Sequence, residues 1–287
     1  MAQVLLRQKD THHMSVDLDL VVEQSPDGKW IRERIPARVL GNDIYELANS
    51  PMLIQGLAAD DRIRLLDGGH YELVERRGTI AVQVFGEWGE VDALAQHVTT
   101  IGGRLCGKEP RMRVFSIPLS AGLHRIETTI DDIVSDWPNL TWMFGNVSTV
   151  DLRIDNDDGP DGGEVLHEPV RAFDEGGGIF TLATSPLLAS GVASGDRIRI
   201  SADGSSEVLE PSGAVAVQVF GDWELEFFVS KVEDLGGRFD GAAGDQVAVF
   251  TFEAQDDGAD PNMSAIQKLF GEHGASGDGR TWRIAHP

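Results

Sequence analysis

Cysteine and long apolar runs are scarce in this chain of 287 residues. Cys106 is the only cysteine, so an intrachain disulfide and any metal cluster built from cysteines are excluded. No segment approaches the roughly 18 consecutive apolar residues that a membrane-spanning helix requires. Residues 1–10 contain three apolar residues in a row and then charges, which is too short for the core of a signal peptide. We therefore expect a cytoplasmic protein that does not bind membranes.

Basic residues are also few, because 24 Lys and Arg stand against 47 Asp and Glu and the formal net charge is −23. The excess is uneven: residues 1–147 have a net charge of −6 and residues 148–287 one of −17. An acidic surface repels phosphate backbones and anionic lipid head groups, which disfavours nucleic-acid and membrane binding. The same surface attracts basic proteins, although solubility alone explains the charge equally well.

Motifs of enzymes and metal sites are missing as well. The sequence contains no Gly-x-Ser-x-Gly nucleophile motif, and neither glycine-rich stretch, 176–178 or 271–279, matches a phosphate-binding loop. Residues 155–161 resemble a calcium loop, but Leu166 stands where an EF-hand needs its closing Glu. We expect no catalytic residue, no cofactor and no metal ion in this protein.

The chain does contain a long internal repeat. The hexapeptide Ala-Val-Gln-Val-Phe-Gly occurs at residues 81–86 and again at residues 216–221, each time followed by an acidic residue and a Trp. The two copies are 135 residues apart, which is a domain period and not the shorter period of a solenoid. We therefore predict two tandem repeats, residues 14–147 and residues 148–287.

Each repeat is predicted to begin with a small β-barrel-like segment, at residues 14–78 and 148–213. Apolar and polar residues alternate in these segments, as at residues 15–22, and turn-rich stretches separate the alternating runs. Hairpins are expected around residues 41–43 and 176–178.

One turn position differs between the copies in an informative way. Asp60 stands in the first copy where Gly195 stands in the second. Gly, and after it Asn and Asp, are the residues that best tolerate a positive φ. We therefore predict a left-handed turn residue at both positions.

The second part of each repeat, residues 79–147 and 214–287, is predicted to be a ferredoxin-like β-α-β-β-α-β unit. Its first helix has one apolar face in both copies, with the i, i+3, i+4, i+7 spacing of a helix on a sheet. The apolar positions are Val91, Leu94, Ala95, Val98 and Ile101 in the first copy, and Leu225, Phe228, Val229, Val232 and Leu235 in the second. The predicted fold class is therefore α+β in two tandem copies.

The order of these features supports a resemblance to a known family. In each copy a hairpin is followed by Ser-Pro, a Gly-x-x-x-x-Asp turn, the hexapeptide strand, a helix and a Gly-Gly-Arg sequence. The matching segments are 50–51 and 185–186, 56–64 and 191–199, and 101–104 and 235–238. The chain resembles two divergent copies of an uncharacterised bacterial family, domain of unknown function 4265. The resemblance implies the fold, but no activity, cofactor or catalytic residue.

The leading functional hypothesis is a non-enzymatic, acidic protein-binding module. Its most specific form is an immunity or antitoxin-type inhibitor, whose carboxylates imitate an anionic substrate and occlude a basic bacterial toxin. Trp88 and Trp223 are expected either to anchor the partner, since Trp is enriched at interface hot spots, or to pack a loop. The predicted acidic contact residues are Asp155, Asp157, Asp158, Asp161, Glu224, Glu226, Glu233, Asp234, Asp256, Asp257 and Asp260.

Two other functions stay open on the sequence alone. Tandem copies suit a small-ligand-binding regulatory or sensory protein that uses the cleft between the two repeats. A hydrolase without a recognisable motif is the third possibility, and a shared pocket with a shifted carboxylate pKa would distinguish it.

Overall fold

The computed structural model describes residues 5–7, 14–87, 92–137, 139–154, 166–244, 246–253, 263–274 and 280–286. The chain divides into two compact units, of which unit 1 comprises Met1–Ala121 and Arg125–Val147 and unit 2 comprises Gly122–His124 and Ser148–Pro287. Both are α+β, with mostly antiparallel sheets and similar element order. No helix in the described part is long and apolar enough to cross a bilayer.

Unit 1 begins with a six-stranded sheet whose strand order follows the chain. Each neighbouring pair is antiparallel. Val16, Leu18 and Leu20 are buried while Asp17 and Asp19 between them are not, as the alternation in sequence predicts. The strands are β1 (Leu5–Arg7), β2 (Ser15–Gln24), β3 (Trp30–Gly41), β4 (Ile44–Leu47), β5 (Arg62–Leu65) and β6 (Tyr71–Glu75).

A four-stranded antiparallel sheet with two helices completes unit 1. Its elements are β7 (Thr79–Phe85), α1 (Asp92–Thr100), β8 (Arg104–Glu109), β9 (Met112–Pro118), α2 (Leu123–Ser135) and β10 (Thr141–Phe144). The strand order is β10-β7-β9-β8, so the hexapeptide strand β7 is central. Nearly every residue of β7 is buried, so both faces of the strand are covered. A strand covered on both faces needs a nearly continuous apolar run, and the hexapeptide supplies one.

Unit 2 repeats both sheets. Its five-stranded sheet contains β11 (Ser148–Ile154), β12 (Leu166–Gly176), β13 (Ile179–Leu182), β14 (Arg197–Ile200) and β15 (Ser206–Glu210), in chain order. The elements that follow are β16 (Val215–Phe220), α3 (Leu225–Asp234), β17 (Gly237–Ala243), β18 (Val247–Phe252), α4 (Met263–Gly274) and β19 (Thr281–His286). Their sheet has the order β17-β18-β16-β19, with β16 in the place of β7.

The turns have the backbone conformation that their residues predict. Asn42 and Asp43 both have positive φ, 52° and 57°, between β3 and β4. Two consecutive residues with positive φ give the hairpin turn whose twist matches that of the strands. Asp60 and Gly195 have φ of 70° and 85°, so the predicted left-handed turn residue is confirmed in both copies.

Candidate functional site

Four of the predicted acidic contact residues lie on or beside α3. Glu224 precedes the helix, Glu226 lies in its first turn, and Glu233 and Asp234 lie in its last turn. All four side chains are exposed. Eight further predicted contact residues lie outside the described residues: Trp88, Asp155, Asp157, Asp158, Asp161, Asp256, Asp257 and Asp260.

Packing on the sheet fixes which side of α3 meets solvent. Phe228 and Val232 are buried in a core that also contains Val217 and Phe250 of the sheet. A helix that buries one stripe of side chains must turn the opposite stripe outward. The exposed stripe, called here the acidic face of α3, consists of Glu226, Phe227, Ser230, Lys231, Glu233 and Asp234.

Helix stability explains only part of this face, because Glu226 lies at the N-terminus, where the helix dipole favours a carboxylate, and Nζ of Lys231 lies 5.9 Å from the ring centroid of Phe227. Phe227 is 41% exposed, although a large aromatic side chain gains most when it is buried. Glu233 and Asp234 lie where the negative end of the helix dipole disfavours a carboxylate, at a typical cost of about 0.3–1 kcal/mol each. Lys231 offsets part of that cost, since its Nζ lies 3.7 Å from Oδ2 of Asp234 in an exposed ion pair.

The equivalent helix of unit 1 has no such acidic end. Thr99 and Thr100 of α1 stand 134 positions before Glu233 and Asp234. The Thr100 hydroxyl donates to the carbonyl of His97 within the helix, at 2.7 Å. The acidic end of α3 is therefore specific to unit 2 and is not a requirement of the shared fold.

Trp223 does not belong to an exposed surface. Its side chain is only 5% exposed, and its Nε1 donates a hydrogen bond of 2.9 Å to the carbonyl of Phe220. The indole packs edge-on against Phe228, with ring centroids 4.8 Å apart, and also contacts Phe270. The expectation that Trp223 anchors a partner is therefore wrong, because the side chain is part of its own unit's core.

A second candidate site is the polar network around the loop that follows each Ser-Pro. In unit 1 the Glu33 carboxylate accepts hydrogen bonds from the backbone N–H groups of Met52, Leu53 and Ile54, at 2.6, 2.9 and 3.2 Å. Three donors on one carboxylate fix the loop against the first sheet, because the loop N–H groups have no strand partner there.

Unit 2 repeats this arrangement. Glu168 lies 135 positions after Glu33 and accepts from the N–H groups of Leu187, Leu188 and Ala189, the last two at 3.0 and 2.9 Å. Glu168 is buried, at 7% exposure, which is tolerated because the carboxylate oxygens are hydrogen-bonded.

The Gln of the repeated hexapeptide binds the same loop from the second sheet. Gln83 donates from Nε2 to the carbonyl of Met52 at 3.1 Å. Gln218 donates from Nε2 to the carbonyls of Pro186 and Ala189, at 3.1 and 2.9 Å. Each loop is thus bonded to both sheets of its unit, and the one polar residue in an otherwise apolar strand is the sequence signal for it.

Asp61 closes the far end of the loop in unit 1. Its carboxylate is 1% exposed and accepts from the N–H groups of Ala58 and Arg77, at 2.9 and 3.1 Å. Burial raises the pKa of Asp61 to about 6, although these donors and Arg76, whose Nη1 is 3.9 Å away, lower it. Asp196 occupies the same place in unit 2 and accepts from Ala193 and from Ser212.

The two units differ most at the position of Cys106. In unit 1 the Cys106 thiol lies 2.8 Å from the Ser116 hydroxyl, which lies 2.6 Å from the Ser50 hydroxyl. The Nη1 of Arg104 lies 3.2 Å from the Cys106 sulfur.

Unit 2 has a carboxylate where unit 1 has this thiol. Asp240 accepts from Nε of Arg238 at 2.8 Å, from the N–H of Ser185 at 2.7 Å and from the Thr251 hydroxyl at 2.6 Å. The Asp240 side chain is fully buried and that of Arg238 is 12% exposed, so this is a buried ion pair. Its partners are the residues that surround the thiol in unit 1, which makes the network structural in both copies.

The carboxylates of this network fix the loop. The oxygens of Glu33, Glu168, Asp61 and Asp196 accept backbone N–H groups and are therefore already in use. Within the described ranges, no three His, Cys, Asp or Glu residues are grouped so that they could hold a metal ion. The acidic face of α3 is thus the better candidate for a functional surface.

A tandem α+β protein with a repeated Glu–loop–Gln network is the class that these features define. The chain belongs to the family described as "Domain of unknown function (DUF4265)", whose model matches residues 33–137 and 168–280. The two matched regions begin at Glu33 and Glu168, the residues that bind the loop in each copy. The predicted tandem membership of this family is confirmed.

Comparison with curated proteins gave no match. Among solved structures, a hypothetical protein from Neisseria gonorrhoeae aligns with a TM-score of 0.38 and 12% identity, over 47% of this chain and 96% of its own. A protein from Thermus thermophilus aligns with a TM-score of 0.17 and 11% identity over 95% of this chain, which spans 53% of that protein's length. Likeness this weak carries no argument about function.

Proposed function

We propose that the protein is a non-enzymatic binding module, and that the acidic face of α3 contacts a basic protein. The observation that carries the proposal is Phe227, which is 41% exposed on the same face as Glu233 and Asp234, two carboxylates that the helix dipole disfavours. Protein interfaces typically combine an apolar anchor with a surrounding rim of charge. Phe227 supplies the anchor, while Glu226, Glu233 and Asp234 supply the rim.

Charge favours unit 2 over unit 1 as the contact unit. Residues 148–287 have a net charge of −17, and the acidic end of α3 has no counterpart on α1. A field of one sign raises the rate at which a basic partner arrives and rejects acidic competitors. The more specific form of the proposal is an immunity or antitoxin-type inhibitor that covers the site of a basic bacterial toxin, and it rests on this charge alone.

The finer fold description is part of the same proposal. Numbered within the second part of each copy, the strand order is fourth, first, third, second, which supports a ferredoxin-like unit. In unit 2 the N–H of Arg153 on the first strand donates to the carbonyl of Gly204, at the turn of the last hairpin, at 3.1 Å. That bond supports a barrel-like closure of the first sheet.

The test reverses the charge of the acidic face and leaves the core unchanged. The tagged protein is incubated with lysate of its native host at low and at high salt, and a stoichiometric partner is identified and purified. We expect the variant with Glu226→Lys, Glu233→Lys and Asp234→Lys to bind this partner at least about ten-fold more weakly, because three attractive charges become repulsive. Phe227→Ser should weaken binding by a similar factor through loss of the anchor.

A matched control keeps the change in net charge and moves it to unit 1. Glu109, Asp132 and Asp136 are exposed there, and the variant with Lys at all three changes the net charge by the same amount. Binding that survives the control but not the α3 variant supports the proposal. An equal loss of binding in both variants would show that only the net charge of the protein matters, which would contradict a specific surface. Unchanged binding in the α3 variant would also refute the proposed surface. Stabilisation by a metabolite without any partner would favour the small-ligand alternative.

A further inference from the structure

In unit 1 the outer edge of β2 is covered over the first half of the strand. β1 pairs antiparallel with the beginning of β2, with Leu5 opposite Asp17, Leu6 opposite Val16 and Arg7 opposite Ser15. Farther along β2, the carbonyl of Asp19 accepts from Nη1 of Arg32 at 3.3 Å. An edge covered in this way has few free backbone groups that could pair with another chain.

β11 is the same strand in unit 2. Val150 and Leu152 are buried in its core as Val16 and Leu18 are in unit 1, with an offset of 134 residues. The turn of the last hairpin covers the far end of β11, because the N–H of Arg153 donates to the carbonyl of Gly204. Nothing equivalent to β1 covers the near end: among the described residues, β12 is the only strand that pairs with β11.

The backbone groups at this near end can be assigned a direction. Since the N–H of Arg153 bonds to Gly204 and not to β12, it points away from the sheet partner. Backbone direction alternates along an antiparallel strand, so the N–H and C=O groups of Asp151 and Thr149 also point outward. Their equivalents in unit 1 are Asp17 and Ser15, the residues opposite Leu5 and Arg7 of β1.

We propose that the outer edge of β11, at Thr149 and Asp151, binds an extended basic segment of a partner protein as an added antiparallel strand. Unit 1 supplies the template, since β1 occupies the equivalent edge in that register. Strand addition draws its affinity from main-chain hydrogen bonds and its specificity from alternate side chains. The site differs from the acidic face of α3 and does not depend on it.

The side chains of β11 define which segment fits. Residues directly opposite each other on paired strands share a face of the sheet. The residue opposite Val150 lies on the core side and should be apolar, because Val150 is 8% exposed and borders that core. The residue opposite Asp151 lies on the solvent side beside an exposed carboxylate, in a unit with a net charge of −17, and should be Lys or Arg.

The test uses a synthetic peptide with the sequence of residues 1–10 and its Leu5→Lys version. Antiparallel pairing in the register of β1 places position 5 opposite Asp151 and position 6 opposite Val150. Amide hydrogen exchange of the full chain is measured with residue resolution, with and without peptide. We expect Ser15 and Asp17 to be protected throughout, and Thr149 and Asp151 to become protected about five-fold or more only when peptide is added.

Two peptide comparisons check the mode of binding. The Leu5→Lys peptide should bind about ten-fold more tightly than the parent, because it places a cation opposite Asp151. A Leu5→Pro peptide should not protect either amide, since Pro removes the N–H that faces the edge. Protection of Thr149 and Asp151 before any peptide is added would refute the proposal, and so would unchanged exchange at saturating peptide.

Two variants of the protein extend the test. Asp151→Pro removes only an outward N–H, so the ladder with β12 is retained while peptide binding should fall by about ten-fold or more. Asp151→Lys keeps every backbone group and should reverse the preference, with a Leu5→Glu peptide now binding more tightly than the Leu5→Lys peptide. Equal affinities in wild type and both variants would overturn the assignment. The α3 charge-reversal variant should bind these peptides as wild type does, so failure of one proposal does not imply failure of the other.

Discussion

Buried ionisable side chains are the residues on which both units depend most. Asp61 is 1% exposed, and its pKa of about 6 reflects the cost of burying a carboxylate that three neighbouring groups only partly compensate. The group therefore has a stability cost at neutral pH, and the fold retains it because Ala58 and Arg77 need an acceptor.

Asp61 makes the stability of unit 1 depend on pH. The folded state binds the Asp61 proton up to a pH of about 6 and the unfolded chain only to about 3.8. The proton on Asp61 therefore stabilises the folded state fully below pH 3.8, and this stabilisation is lost as the pH rises from 3.8 to about 6. The free energy of unfolding falls by about 3 kcal/mol over that range. Urea unfolding of wild type and Asp61→Asn between pH 4 and 7 measures this, and the variant should show a flatter dependence. Equal slopes would contradict the raised pKa.

Asp240 should be worth more to stability than any exposed carboxylate. Asp240→Ala leaves the guanidinium of Arg238 without its buried carboxylate partner and with only the exposed Glu253 as an ion-pair partner, and loss of a buried partner typically costs about 3–5 kcal/mol. Glu207→Ala is the matched control, because it removes an ion pair with Arg199 whose side chains are 66% and 50% exposed, and should cost at most about 1 kcal/mol. The urea unfolding midpoints of the two variants measure how much stability each substitution removes. Equal midpoints would show that the buried ion pair stabilises the fold no more than the exposed one.

At the scale of elements, the loop after each Ser-Pro connects the two sheets of its unit. Glu168 accepts three loop N–H groups, and Gln218 donates to two loop carbonyls. Because the same bonds fix the loop in both units, the sequence signals of the loop repeat in both copies.

Removing the carboxylate should loosen the loop locally before it unfolds the unit. Glu168→Ala leaves the N–H groups of residues 187–189 without their acceptor, at a cost of about 2–4 kcal/mol. Amide exchange of these residues should accelerate, and Glu33→Ala should do the same at residues 52–54. Glu72→Ala, which removes an exposed partner of Arg64, is the control that should leave both loops unchanged. Protected loop amides in Glu168→Ala would contradict this role.

Helices and strands follow the sequence closely where one face is apolar. The spacing of Phe228 and Val232 predicts α3, and both residues are buried in the core. The predicted order of elements also requires a second helix in unit 2, and α4 lies there at Met263–Gly274. The sequence does not predict β1, because three residues without a turn signal carry no periodicity, and only pairing with β2 defines this strand.

At the scale of the whole molecule, the two units share their fold but differ in their charge. The Glu–loop–Gln network and the sheet orders occur in both units, whereas the larger excess of acidic residues, and an edge of β11 that no described strand covers, are features of unit 2. Duplication of a stable fold leaves one copy free to acquire surface features, because surface substitutions away from buried networks change stability little. Both proposed binding surfaces lie in the copy that has the greater charge.

The amino-acid sequence is sufficient to define the two copies, their family, the α+β class and the turn residues Asp60 and Gly195. These features depend on local sequence patterns: an exact hexapeptide repeat, apolar periodicity and residues that tolerate positive φ. Tertiary contacts were needed to establish that Trp223 is a core residue, that Asp240 pairs with Arg238 in a buried site, and that β12 alone among the described strands pairs with β11. Burial and edge pairing depend on residues that are distant in sequence, so no local pattern encodes them.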